Sequence, residues 1–122
     1  MATNAYIGIL NPETNIIRYV YLHFDGYGAL PLLNKHYNTQ EKADKLISLG
    51  DISILAESCE CPEGHSFTNK IPGYSVFYGR DRGETGQGPK TLPKFMFHYD
   101  FKKAYRYVFK NGEWFQTSPG DG

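Results

Sequence analysis

The chain is poor in cysteine, with two in 122 residues, and it has no excess of either charge, thirteen Lys and Arg standing against thirteen Asp and Glu. Two thiols cannot form the several bridges of a small secreted scaffold, so a reducing, cytoplasmic setting is expected. A formal net charge of zero leaves no field to hold a long polyanion. DNA and RNA polymers are therefore not expected partners, whereas a small anionic ligand remains open. No run approaches the ~18 consecutive apolar residues that span a bilayer, and the start MATNAYIGIL has neither a basic region nor a small-residue cleavage site. No membrane association is expected. At 122 residues there is room for one domain, since domains usually run to about 100–200 residues.

Catalytic signatures are scarce as well. No G-K-[ST] follows the glycine-rich segment, no G-x-S-x-G elbow is present, and the two cysteines lack a paired His and Asn. Cys59-x-Cys61-x-x-x-His65 offers three zinc-ligand types, but structural zinc sites need a second ligand pair, so neither metal nor cofactor is expected. His23 and Asp25 lie two residues apart, either an acid/base couple or a structural turn. The expected protein is not an enzyme.

Aromatic residues are what the chain has in plenty: ten Tyr, eight Phe and one Trp, 16% of the whole. Rings build a small core and also stack on planar ligands. Residues 5–10 and 16–22 read as an N-terminal hairpin around the turn Asn11-Pro12-Glu13-Thr14-Asn15. In its second strand Arg18, Val20 and Leu22 share one face, and Ile17, Tyr19 and Tyr21 the other. Leu30, Leu33 and Tyr37, then Ala43, Leu46 and Ile47, have helical spacing. They predict two short helices, the second capped by Thr39 and stopped by Gly50. Residues 58–72 read as an irregular loop, 74–78 as a strand, 79–89 as a glycine-rich loop, and 94–99 and 105–109 as aromatic strands. Asn111-Gly112 marks a closing hairpin. The expected fold is a single α+β domain over 1–116, a mostly antiparallel sheet with two short helices on one face, followed by a disordered tail, 117–122.

Gly79-Arg80-Asp81-Arg82-Gly83-Glu84 is the sharpest local motif. Glycines admit an anion to backbone N–H groups, and guanidinium forks match phosphate oxygens in pairs; the alternative is a solvated loop of exposed ion pairs. Arg106, one of only four Arg, stands within the aromatic run Tyr105-Arg106-Tyr107, facing either a cavity or the open side of a hairpin. Phe77 is either core or a stacking platform.

Taken in order, Tyr6-Ile7-Gly8-Ile9, His23-Phe24-Asp25-Gly26-Tyr27, His36-Tyr37, Leu49-Gly50-Asp51-Ile52-Ser53, Tyr78 through Glu84, and Asn111-Gly112-Glu113-Trp114 resemble the first anti-Thoeris defence family. These are small phage proteins that act as sponges for the cyclic ADP-ribose isomers made by bacterial TIR enzymes. Where related chains continue D-G-Y with Pro, this one has Gly28. The resemblance implies a protein that holds its signal intact in a pocket between subunits, as a homodimer or larger homo-oligomer in the host cytoplasm. It also implies that cyclic di- or trinucleotides are possible further ligands. Carried onto this chain, the ligand-binding residues would be Phe77, Arg80, Asp81, Arg82 and Arg106. The competing expectations are an inhibitor that covers a host defence enzyme, and a small phosphoesterase or glycohydrolase using His23, Asp25 or Asp81.

Overall fold

A computed structural model describes residues 4–118. The N-terminal hairpin forms as its alternation dictates: β1 (Ala5–Asn11) runs antiparallel to β2 (Ile16–Leu22), and Asn15 takes a left-handed φ of 60° in the turn. A single 3₁₀ turn, Gly26–Gly28, leads into α1 (Ala29–His36), and α2 (Gln40–Ser48) follows. The Thr39 hydroxyl accepts the Lys42 N–H at 3.2 Å, and Gly50 lies just past the end of α2 with φ 88°, the cap and stop that the sequence predicts. Next come β3 (Ile52–Ile54), β4 (Val76–Phe77), α3 (Tyr78–Arg82), β5 (Lys90–Pro93), α4 (Lys94–Asp100), β6 (Tyr105–Lys110) and β7 (Glu113–Thr117). The Asn111-Gly112 turn has φ 53° and 82°, the two positive values that a tight hairpin between twisted strands requires.

The seven strands form one mixed sheet in the order β4-β3-β2-β1-β6-β7, with β5 also paired to β2. Four of its pairings are antiparallel, while β1 with β6 and β2 with β3 are parallel. The fold is thus the expected single α+β domain. One face carries Ile7, Ile9, Val20, Leu22, Tyr107, Phe109 and Trp114 against α1 and α2. Trp114 is buried, and its indole N–H donates to the Tyr37 carbonyl at 2.8 Å. The opposite face carries Leu10, Ile17, Tyr19 and Val108 under Phe97 of α4.

Three local expectations change. Residues 94–99 are helical, not extended: Pro93 stands at the helix start, where its fixed φ is favourable, and Phe97 and Phe101, one helical turn apart, both reach the sheet. A strand here would have sent Phe97 and Phe95 to the same side, but Phe97 is fully buried and Phe95 is 74% exposed. The Arg-Asp-Arg segment is the helix α3, stopped by Gly83 at φ 78°, and the strand before it shrinks to Val76–Phe77. Thr117 closes β7 and the Ser118 carbonyl accepts from Arg106, so both belong to the domain; residues 119–122 of the expected tail lie outside the described residues. No helix among the described residues is long and apolar enough to cross a membrane.

Candidate functional site

The structure turns the Arg80–Asp81 pair inward. Asp81, with 1% of its side chain exposed, accepts the Phe77 N–H at 2.8 Å and two bonds from the Arg80 guanidinium at 2.9 and 3.1 Å. The same guanidinium donates to the carbonyls of Cys59 at 2.6 Å and Ser75 at 3.3 Å and lies over the Phe77 ring, 4.7 Å from its centroid. Arg80 thereby clasps residues 58–75, which have little regular structure of their own, to α3. His65 completes the clasp: its Nε2–H donates to the Ser75 carbonyl at 3.1 Å, and its Nδ1 accepts the Ile71 N–H at 3.0 Å. Burial pushes the Asp81 carboxyl up, but the Arg80 hydrogen bonds, the Phe77 N–H and the Arg80 charge outweigh it and leave the group below its ordinary value. Cys61 is exposed, with Sγ 3.7 Å from Asp81 Oδ1, and Cys59 is buried. Among the described residues no cluster of His, Cys, Asp and Glu could hold a metal ion.

The other sequence candidates lie apart from one another. Phe77 is fully buried in the core beneath Arg80. Arg82 is exposed, pairs with Glu84 at 3.4 Å and covers the Phe67 ring at 4.9 Å. Arg106 lies across the sheet in β6, fully buried, donating to the His98 carbonyl at 2.7 Å and the Ser118 carbonyl at 3.0 Å. Strands β3, β2 and β1 separate β4 from β6, a span of roughly 19 Å at ~4.8 Å per strand. One chain therefore does not bring Arg106 to the Arg80–Arg82 segment.

What the fold does assemble is a cup of tyrosines. α4 covers only part of its sheet face, and where that cover ends Tyr6 and Tyr21, half-buried, flank the buried Tyr19. With Phe101, Asp51 and Lys90 they line a cavity of about 270 Å³. The positions follow from register: Tyr6 pairs with Tyr21, Gly8 with Tyr19, and Tyr19 with Lys90 of β5. Gly8 lets the neighbouring side chains pack closely there, because a Cβ would stand 2.5 Å from the Ile17 side chain and 3.0 Å from the Tyr19 Cβ. Tyr6 and Phe101 stack at 3.8 Å and 11°, and Tyr19 meets Tyr6 edge-on at 6.2 Å.

Asp51 gives the cup its polarity. Its Oδ1 accepts the Tyr21 N–H at 2.9 Å, its own N–H donates to Gln87, and its carbonyl accepts the Tyr78 N–H. Burial raises the Asp51 carboxyl above its ordinary value, against the Tyr21 N–H and the Lys90 charge, which pull it down. Burial likewise raises the Tyr6, Tyr19 and Tyr21 phenols, with the Asp51 charge adding to each. All three hydroxyls thus stay protonated donors near neutral pH. The Tyr21 hydroxyl is bonded to His23 Nδ1 at 2.7 Å, whereas those of Tyr6 and Tyr19 have no protein partner among the described residues. A ring of aromatic walls, one carboxylate, two unengaged hydroxyls and an exposed ammonium can seat a planar group and hydrogen-bond its polar edge.

Sequence reasoning missed Tyr6, Asp51, Lys90 and Phe101 as site residues. The legible part was the shared face of Tyr19 and Tyr21; their neighbours arrive through β1 pairing and the return of β5, which no local pattern encodes. Comparison with protein-family models, curated proteins and solved structures found no match.

Proposed function

We propose that this chain is a binding protein that captures a nucleotide-type immune signal and withholds it, uncleaved, from a host effector in the bacterial cytoplasm, the role that the resemblance to the first anti-Thoeris family implies. The observation that supports this reading is the tyrosine cup: rings for a base, Asp51 and the Tyr6 and Tyr19 hydroxyls for ribose or base donors, Lys90 for phosphate. A cup of about 270 Å³ is slightly below the usual range for small-molecule sites, roughly 300–1,000 Å³. Nanomolar capture needs about 12 kcal/mol, more than one open cup supplies, so a second copy of the chain closing over the ligand belongs to the proposal. Arg82, exposed at the end of α3, is the family-derived candidate most open to a ligand held by such a partner.

The test is calorimetric titration with the two glyco-cyclic ADP-ribose isomers and cyclic di- and trinucleotides, followed by heat release and mass spectrometry of the ligand. Tight binding that Tyr6→Ala and Asp51→Asn each weaken at least tenfold, with the ligand recovered unchanged, supports capture. An altered ligand would make the chain an enzyme. Absence of binding to the whole panel would favour a second reading, an inhibitor of a host protein. That reading draws on the apolar groove of about 1,160 Å³ along α4, where Phe95 is 74% and Tyr99 67% exposed.

A further inference from the structure

We infer that the outward side of α4 is a docking surface for an acidic segment of another protein, one that presents aromatic or aliphatic anchors between its carboxylates. The inference does not depend on the nucleotide reading, because the groove along α4 and the tyrosine cup share no lining residue. α4 is apolar on both of its sides. Phe97 and Phe101 reach the sheet, while Phe95 and Tyr99, one helical turn apart, form a ridge on the other side with Met96 next to it. A helix that is hydrophobic all round has the pattern of a buried helix. Yet Phe95 is 74%, Tyr99 67% and Met96 37% exposed, so the chain's own sheet covers one side of α4 and leaves the other to a partner.

The charges around the ridge select the partner. Lys94 and Lys102 line the groove, and Asp100 is the one carboxylate among the described residues that do. Lys102 Nζ lies over the Tyr99 ring, 4.5 Å from its centroid, which puts an ammonium on the ridge itself. Beneath the groove the buried Arg106 guanidinium donates to the His98 carbonyl. Burial, with the Arg106 and Lys94 charges, holds the His98 imidazole below its ordinary value, so the local potential is positive although the chain as a whole is neutral. A second copy of the chain fits this face poorly, since pairing it with itself sets Lys94 and Lys102 against like charges. The area argues the same way. At about 200 Å² per side chain, Phe95 and Tyr99 expose roughly 280 Å², well short of the ~800 Å² per partner in a stable interface and suited to a short segment.

The experiment selects short random peptides, displayed on yeast, against the full chain and measures the enriched ones by fluorescence anisotropy. Enriched peptides should carry Phe, Trp or Leu and more Asp and Glu than Lys and Arg, bind at micromolar strength, and weaken as salt is raised. Phe95→Ser, and separately Lys94→Glu combined with Lys102→Glu, should each weaken them at least tenfold without lowering the melting temperature, while Tyr6→Ala leaves them unchanged. No enrichment over the bare support, enriched peptides without an acidic excess, or binding that survives Phe95→Ser overturns the inference. Sedimentation showing that the chain self-associates and that Phe95→Ser separates the copies overturns it too, because a second copy would then be the occupant. None of these outcomes bears on the cup, which the nucleotide titration tests by itself.

Discussion

Replacing Arg80 by alanine tests whether the Arg-Asp-Arg segment holds the fold together. The substitution removes the bidentate partner of Asp81 and the donors to Cys59 and Ser75 in one step. Breaking a buried ion pair by deleting one partner costs roughly 3–5 kcal/mol, because the remaining charge stays desolvated. Arg80 keeps 22% of its side chain exposed, and Asp81 retains the Phe77 N–H, so about 2–3 kcal/mol is the expected loss. At this chain length that lowers Tm by roughly 8–12 °C. The assay is thermal unfolding by circular dichroism at pH 7, with Arg80→Lys, which keeps the charge but not the fork, recovering less than half of the loss.

The pH dependence sharpens this test. Asp81 has a folded value below its unfolded one, so its contribution is fully present above the unfolded value, about 3.9, and disappears as pH falls through the folded value. Without Arg80, burial pushes the group the other way. The stability gap between the unaltered chain and Arg80→Ala should therefore start to narrow above about 3.9, as pH falls through the variant's raised value, and go on narrowing down to the lowered value of the unaltered chain. A Tm change under 3 °C at pH 7, or a gap that stays constant down to pH 2.5, would refute the clasp.

Arg106→Glu should lower Tm by more than 10 °C, since it places a carboxylate against the carbonyls of His98 and Ser118 in a fully buried position; thermal unfolding reads it directly. Gly50→Ala should destabilise by at least about 1 kcal/mol. Its φ is +88°, a Cβ would meet the Gln87 carbonyl oxygen at 2.2 Å, and hydrogen exchange at the Asp51 amide, which donates to that oxygen, should speed up. Tyr107→Phe should cost roughly 1–2 kcal/mol in urea unfolding by leaving the Gly26 carbonyl without its buried donor. In the unaltered chain burial holds that phenol at about 12, so the Tyr107 signal should not titrate in a spectrophotometric scan to pH 11.

The strength of local signals decided how much of this was legible. The N-terminal hairpin, the Thr39 cap and the Asn111-Gly112 turn are each specified by residues within a few positions of one another, and each forms as the sequence predicts. The segment 94–99 misled because aromatic content favours strands only where a pleated, half-buried surface receives the side chains. Here the deciding fact is a contact from Phe97 and Phe101 to a sheet face made elsewhere in the chain. The Arg-Asp-Arg segment forms a helix where glycines suggested a loop, because its guanidinium groups, which suit an anion, also suit backbone carbonyls, and residues 58–75 supply those carbonyls. The cup depends on three strand registers at once, so only the Tyr19 and Tyr21 alternation could announce it.

The clasp and the cup are mechanically connected, and this bears on how any binding experiment must be read. Asp81 anchors the start of α3 through the Phe77 N–H, and the next residue, Tyr78, donates its N–H to the Asp51 carbonyl. On the other side, the Asp51 N–H is tied to Gln87 in the loop that follows α3. The backbone that carries the cup's carboxylate is thus gripped on both sides by a segment whose own position Arg80 fixes. Loosening the clasp should move Asp51 without touching the tyrosines, so Arg80→Ala would weaken a ligand that uses the carboxylate even if Arg80 never meets it. A direct contact and this indirect route separate cleanly when Arg80→Ala is combined with Asp51→Asn. If Arg80 acts only through Asp51, the double variant binds no more weakly than Asp51→Asn alone; if Arg80 contacts the ligand itself, the two losses add.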